Sequence, residues 1–119
     1  MKKLLIASTI TVLTLTSVVS TPKAHAADIA QSICEYVAAD DKKRMRSFLK
    51  TNKLKIRRIF DGIQCNGQNL LEFASASGSV ETGALMIGKL PKSVVSDNLA
   101  ALQTGSKPLI DAANERVSS

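Results

Sequence analysis

Apolar residues recur at helical spacing along most of the chain. Ile29, Ile33, Tyr36 and Val37 fall on one face of a helix predicted over 27–39, with Asp28 as its N-cap. Asp40-Asp41 interrupts the pattern, and Asp41 is placed to cap a second helix that runs to about Lys50. Met45, Phe48 and Leu49 point inward from it, while Lys42, Arg46 and Lys50 form an outward i, i+4 stripe; Thr51-Asn52 ends it. Over 53–64 the pattern loosens, with Leu54, Ile56 and Ile59-Phe60 set among bases, which predicts irregular or extended chain. Asp61-Gly62 and Asn66-Gly67 are turn signals. A third helix over 69–77 carries Leu70, Leu71, Phe73 and Ala74 and stops at Gly78; a fourth over 80–90 carries Val80, Ala84, Leu85 and Ile87 and stops at Pro91. Residues 93–102 read as one more helix with Val94, Val95, Leu99 and Leu102 on a face. Thr104-Gly105-Ser106 breaks it, and Pro108 opens a last helix to about Val117. No stretch shows strand alternation of useful length, so the fold class is mainly α.

Laid over itself, the chain matches at a shift of 37 residues: Ile33-Cys34-Glu35-Tyr36-Val37-Ala38-Ala39 lies over Leu70-Leu71-Glu72-Phe73-Ala74-Ser75-Ala76. At a shift of 38, Gly105-Ser106-Lys107-Pro108-Leu109 lies over Gly67-Gln68-Asn69-Leu70-Leu71. Each unit is a turn followed by a helix pair. A single pair cannot bury its apolar face alone, so the expected domain is a stack of helix pairs with a shared core. Tyr36 and Phe73 occupy matching positions and are expected inside, and Met45 and Met86 suit gap-filling. Gly67 to Glu81 resembles one ankyrin repeat, with its turn glycine, helix opening, alanine pair, and glycine between helices; Pro108-Leu109 with Ala112-Ala113 echoes the opening. The period is 37–38 rather than 33, the first unit lacks the glycine and the third is short.

The N-terminus reads as an address. Lys2 and Lys3 precede an uncharged run, 4–20, diluted by serine and threonine; Pro22 follows as a helix breaker, and Ala24-His25-Ala26 is a small-x-small cleavage site. The pattern predicts a secretory signal peptide, residues 1–26, cut after Ala26, leaving one domain over 27–119 with no membrane span. Cleavage removes Lys2, Lys3 and Lys23 from 16 basic residues, against 10 acidic ones, so the net charge falls from +6 to +3. It also removes the one histidine of the sequence, and with it any Ser-His or Cys-His nucleophile pair and any histidine-bound zinc. Two cysteines in an exported chain pair, so Cys34 and Cys65 are expected to form a structural disulfide. Residues 93–119, which lack cysteine and end in serine, are expected to be held less firmly than 28–90.

Three features, Cys34-Glu35-Tyr36-Val37-Ala38-Ala39, the Lys/Arg-rich stretch 42–58 and Cys65-Asn66-Gly67, resemble a family of small exported bacterial proteins of unknown function, over residues 30–92. The resemblance implies a Gram-negative periplasmic setting and paired cysteines. It implies no activity.

Charge carries the clearest functional signal. Lys42, Lys43, Arg44, Arg46, Lys50, Lys53, Lys55, Arg57 and Arg58 place nine cations in 17 residues with no acid among them. A basic face attracts anions, so an anionic envelope surface or an acidic protein is the expected partner, through Lys42, Lys43, Arg46, Lys50, Lys53, Arg57 and Arg58. The bland counterpart is a solvated helix face. Nucleic acid fits worst, because Phe48 is the sole aromatic of the stretch and is needed inside. Asp40-Asp41 with Asp28 has no calcium-loop spacing and is read as helix capping, while Glu72, Glu81 and Lys89 are read as surface charges. No metal, cofactor or catalytic residue is assigned. A histidine-independent hydrolase is the enzymatic competitor, but no motif surrounds Ser75, Ser77 or Ser79. A structural or stress-related envelope component is the third reading.

Overall fold

A computed structural model describes the backbone of residues 22–119 and the side chains of 27–119; the stretch 1–21, and with it the body of the expected signal peptide, lies outside the described residues. The helices are α1 (Pro22–Ala38), α2 (Lys42–Thr51), α3 (Ile56–Ile59), α4 (Leu70–Ser77), α5 (Val80–Lys89), α6 (Lys92–Asp97), α7 (Leu99–Leu102) and α8 (Lys107–Ser118). Pro22 opens α1 instead of blocking it, as a proline in a first turn can. Asp28 therefore lies inside the helix, exposed, and is not its N-cap.

Three helices end in the same way. After α1, Asp41 N donates to Tyr36 O (2.8 Å) and Asp40 N to Val37 O (3.0 Å). After α2, Leu54 N donates to Leu49 O (2.8 Å) and Lys53 N to Lys50 O (3.2 Å). After α4, Ser79 N donates to Ala74 O (2.9 Å) and Gly78 N to Ser75 O (3.2 Å). Each is a Schellman end, which needs a residue with positive φ, and Asp40 (52°), Lys53 (53°) and Gly78 (69°) supply it. Asp40 thus stands where the second unit has its glycine. Its side chain makes use of that position: Oδ1 accepts from Thr82 N (2.8 Å) and Thr82 Oγ1 (3.1 Å), and Oδ2 accepts from Glu81 N (3.3 Å), so a carboxylate from the end of α1 caps the start of α5. In return Ser79 Oγ, just ahead of α5, donates to Val37 O of α1.

The remaining local signals are met in part. Asp41 caps α2 by accepting from Arg44 N (3.0 Å). Asn69 and Glu72 form a reciprocal capping box on α4, with Asn69 Oδ1 accepting from Glu72 N (2.8 Å) and Glu72 Oε1 accepting from Asn69 N (2.9 Å). Asn66 (φ 54°) and Gly67 (φ 77°) turn the chain between Cys65 and Gln68, which exchange backbone hydrogen bonds of 2.7 and 3.0 Å. Cys65 is bonded to Cys34, so the disulfide pins this turn to α1.

Residues 53–64 are irregular only at their ends, where Lys55 and Ile63 are extended, and helical between them. They hold α3 and a 3-10 turn over Phe60–Gly62, with Ile56, Phe60 and Ile63 buried. That spacing is helical, and Lys55, Arg57 and Arg58 between the apolar residues mask it. The segment 93–102 is two helices, not one. Asn98 stands at the break, its Nδ2 donating to Val94 O (2.8 Å) and its Oδ1 accepting from Asn69 Nδ2 (2.8 Å). The buried face of α5 is Thr82, Gly83, Met86 and Ile87, whereas Ala84 is exposed and Val80 and Leu85 are half-buried. Tyr36 and Phe73 are likewise half-buried at the margin of the core; the Tyr36 ring meets Phe48 edge-on at 5.5 Å between centroids. Met45 and Met86 are fully buried.

The first two units stack as pairs, α1 on α4 and α2 on α5. The third leaves this register. Its α8 packs against α5, α6 and α7, with Arg116 Nη2 donating to Leu90 O (3.1 Å) at the end of α5. Leu102, Leu109 and Ala113 are completely buried in the same core as Ile33, Met45 and Leu70. Thr104, in the α7–α8 connection, is exposed. Limited proteolysis is expected to cut first near Thr104-Gly105-Ser106, read by the masses of the fragments; an initial cut within 67–90 would contradict the order of firmness expected from the sequence.

Candidate anion-binding site

The basic stretch occupies α2, the left-handed turn at Lys53 and α3. Burial of Met45 and Leu49 on one side of α2 and of Ile56 on α3 leaves most of the intervening positions to solvent, and most of those exposed are lysines and arginines. The stretch does not act as one face. Lys42 is half-buried and lies 3.9 Å from Glu81, and Arg44 lies 3.5 Å from Asp41. Both are therefore engaged, though exposed pairs of this kind are worth only about 0–1 kcal/mol. Lys42 and Lys43 border a shallow depression of mixed sign with Asp40, Asp41, Arg46 and Glu81. Lys43, Lys53 and Arg58 are exposed.

A second concavity is different. It is a groove of ≈ 800 Å³ lined by Arg46, Ser47, Leu49, Lys50, Leu54, Lys55, Ile56, Arg57 and Lys89. Five of these are cations and none is an acid. Among the described residues, none of the five has a carboxylate within 4.0 Å. The structure thus brings together Arg46, Lys50 and Arg57 of the expected anion-binding set. It adds Lys55 from the same stretch and Lys89, which in the sequence alone is a surface charge. Lys89 is the last residue of α5 and reaches the groove because α5 packs on both α2 and α3. Nothing in the sequence pairs it with residues 42–58 beyond its place in a final helical turn, where a cation suits the helix dipole.

The carboxylate pair at the α1–α2 junction is used in capping, as described above. Among the described residues there is no group of three or more His, Cys, Asp or Glu side chains placed to hold a metal. No described helix is long and apolar enough to cross a membrane. The chemistry gathered at the groove is therefore charge, one hydroxyl and a strip of leucine and isoleucine.

A family profile described as protein of unknown function (DUF3718) matches residues 33–97, more than half of the 119 residues. The chain belongs to the DUF3718 family. No curated protein matches it, and no solved structure does. The DUF3718 region begins at Ile33 in α1 and ends at Asp97, the last residue of α6. It contains both cysteines of the disulfide and every residue of the groove, while α7 and α8 lie beyond it.

Proposed function

We propose that this DUF3718 protein is an exported, periplasmic binding protein, cut after Ala26, that engages an anionic envelope partner through its basic groove. Binding rather than catalysis is the reading. After cleavage the chain would start at Ala27, with Asp28 in the first turn of the shortened α1, where a carboxylate suits the helix dipole. The observation that carries the proposal is the convergence of Arg46, Lys50, Lys55, Arg57 and Lys89 on one groove with no acid in its lining. Solubility alone does not require such segregation, since mixed signs serve it as well. Like charges held together repel, and an anion placed among them relieves that repulsion.

The test is co-sedimentation of the protein, purified from export-competent cells, with anionic and with neutral vesicles. Wild type is expected to sediment with anionic vesicles only, and to be released as salt rises, because attraction is screened over about 8 Å at physiological ionic strength. The triple variant Arg46→Glu, Lys50→Glu and Arg57→Glu changes three exposed side chains and spares Met45, Leu49 and Ile56. It should keep its helical circular dichroism and lose retention. Lys42 is left alone because reversing it would set a carboxylate against Glu81. Equal retention of variant and wild type would leave only a solvated face.

A further inference from the structure

We propose, resting on the anion-binding reading above, that the groove is a site for a phosphorylated single-chain amphiphile: the phosphate among Arg46, Lys50, Arg57 and Lys89, the first methylenes over Leu54. Charge alone explains the cations but not what lies between them. Leu54, half-buried, lines the groove together with Leu49 and Ile56, which the core encloses almost wholly. A leucine surrounded by cations at the edge of a groove gains nothing from a bare anion. An alkyl chain running from the phosphate covers it, and the aliphatic stems of Lys50, Lys55 and Lys89 extend the same apolar strip. The volume, ≈ 800 Å³, falls within the range of small-ligand sites. The cations are set on three separate helices: Arg46 and Lys50 on α2, Arg57 on α3 and Lys89 on α5. Cations carried by three helices can approach a compact anion from more than one direction, where a flat basic stripe would track an extended polyanion. No aromatic lines the groove, so it offers a base no aromatic stacking platform.

The experiment is isothermal titration of the protein from export-competent cells with dodecyl phosphate below its micellar concentration, inorganic phosphate and dodecylphosphocholine. Dodecyl phosphate should bind roughly tenfold or more tightly than either of the others, the effect of covering about two methylenes in addition to pairing the charge. Lys89→Gln lies outside 42–58 and should weaken dodecyl phosphate and inorganic phosphate alike. Leu54→Asn should abolish the advantage of dodecyl phosphate over inorganic phosphate, and Leu54→Met should restore it, which separates loss of the apolar strip from loss of the fold. Equal affinity for dodecyl and inorganic phosphate, or wild-type affinity in Lys89→Gln, would overturn the inference. An acidic peptide bound as tightly as dodecyl phosphate would overturn it too. If anionic vesicles fail to retain the wild type, the broader anion-binding reading falls; if they retain it without any chain-length effect, only this inference falls.

Discussion

Replacing Cys34 and Cys65 together by serine is expected to cost about 3–4 kcal/mol of stability. The bond joins residues 31 apart, and closing a loop of that length restricts the unfolded chain by about this amount in the chain-entropy model. Packing around the bond adds to the cost. Cys65 is 4 % exposed, so a serine there places a hydroxyl among apolar neighbours. The bond also spans the part of the chain with the least regular structure. The turn at Asn66-Gly67 hangs between the short α3 and α4, and the disulfide fixes it to α1, one residue from the buried Ile33. Urea denaturation of the oxidised wild type, the reduced wild type and the double variant measures the effect, with reduced protein and variant coinciding to first order. Their slopes should exceed that of the oxidised form, because the uncrosslinked unfolded chain exposes more surface. A double variant within about 1 kcal/mol of the oxidised wild type would show that the bond is incidental to the fold.

The helices that the sequence displays most plainly are those with both a periodic apolar face and a stop residue. α2, α4 and α5 lie within a residue or two of their expected limits because Asp41, Asn69, Gly78 and Pro91 punctuate them. What escapes is structure built on other chemistry. The face of α5 is buried through Thr82 and Gly83, a hydroxyl and a bare backbone, which no hydrophobic count rewards. The break at Asn98 depends on a side chain reaching back to Val94 and across to Asn69, and its long-range half is invisible in a linear reading. Helix α3 is hidden by its own bases.

The site shows the same division. Segregated charge over 42–58 was legible, and Arg46, Lys50 and Arg57 do converge. Which cations are engaged by acids was not legible, since Glu81 meets Lys42 only through packing of α2 on α5. Lys89 enters the groove by the same packing. Asp40 does cap a helix, but that helix is α5, in the following unit, which no local spacing indicates, and its positive φ takes the role that glycine plays after α4.

Leu109→Ala is expected to cost about 2–5 kcal/mol, toward the upper part of the usual range. Leu109 is fully buried on α8 and its methyl groups fill the notch that Gly83 leaves on α5; a Cβ on Gly83 would overlap Leu109 Cδ2. Truncation therefore opens a cavity beside a residue with no side chain to relax into it. The partner substitution gives the sharper test. Gly83→Ala in the wild type should destabilise by about 1–3 kcal/mol through overpacking against Leu109, more than offsetting the better helix propensity of alanine. In the Leu109→Ala background the same change should be neutral or stabilising, because the added methyl occupies the vacated space and the propensity gain remains. A double-mutant cycle from urea unfolding reads the coupling directly. Additivity within about 0.5 kcal/mol would mean that the two residues are independent and that the α5–α8 contact is not the wedge described. A cost below about 1 kcal/mol for Leu109→Ala alone would mean that α8 is only loosely docked, since a residue fully enclosed by a cooperative core cannot be truncated so cheaply.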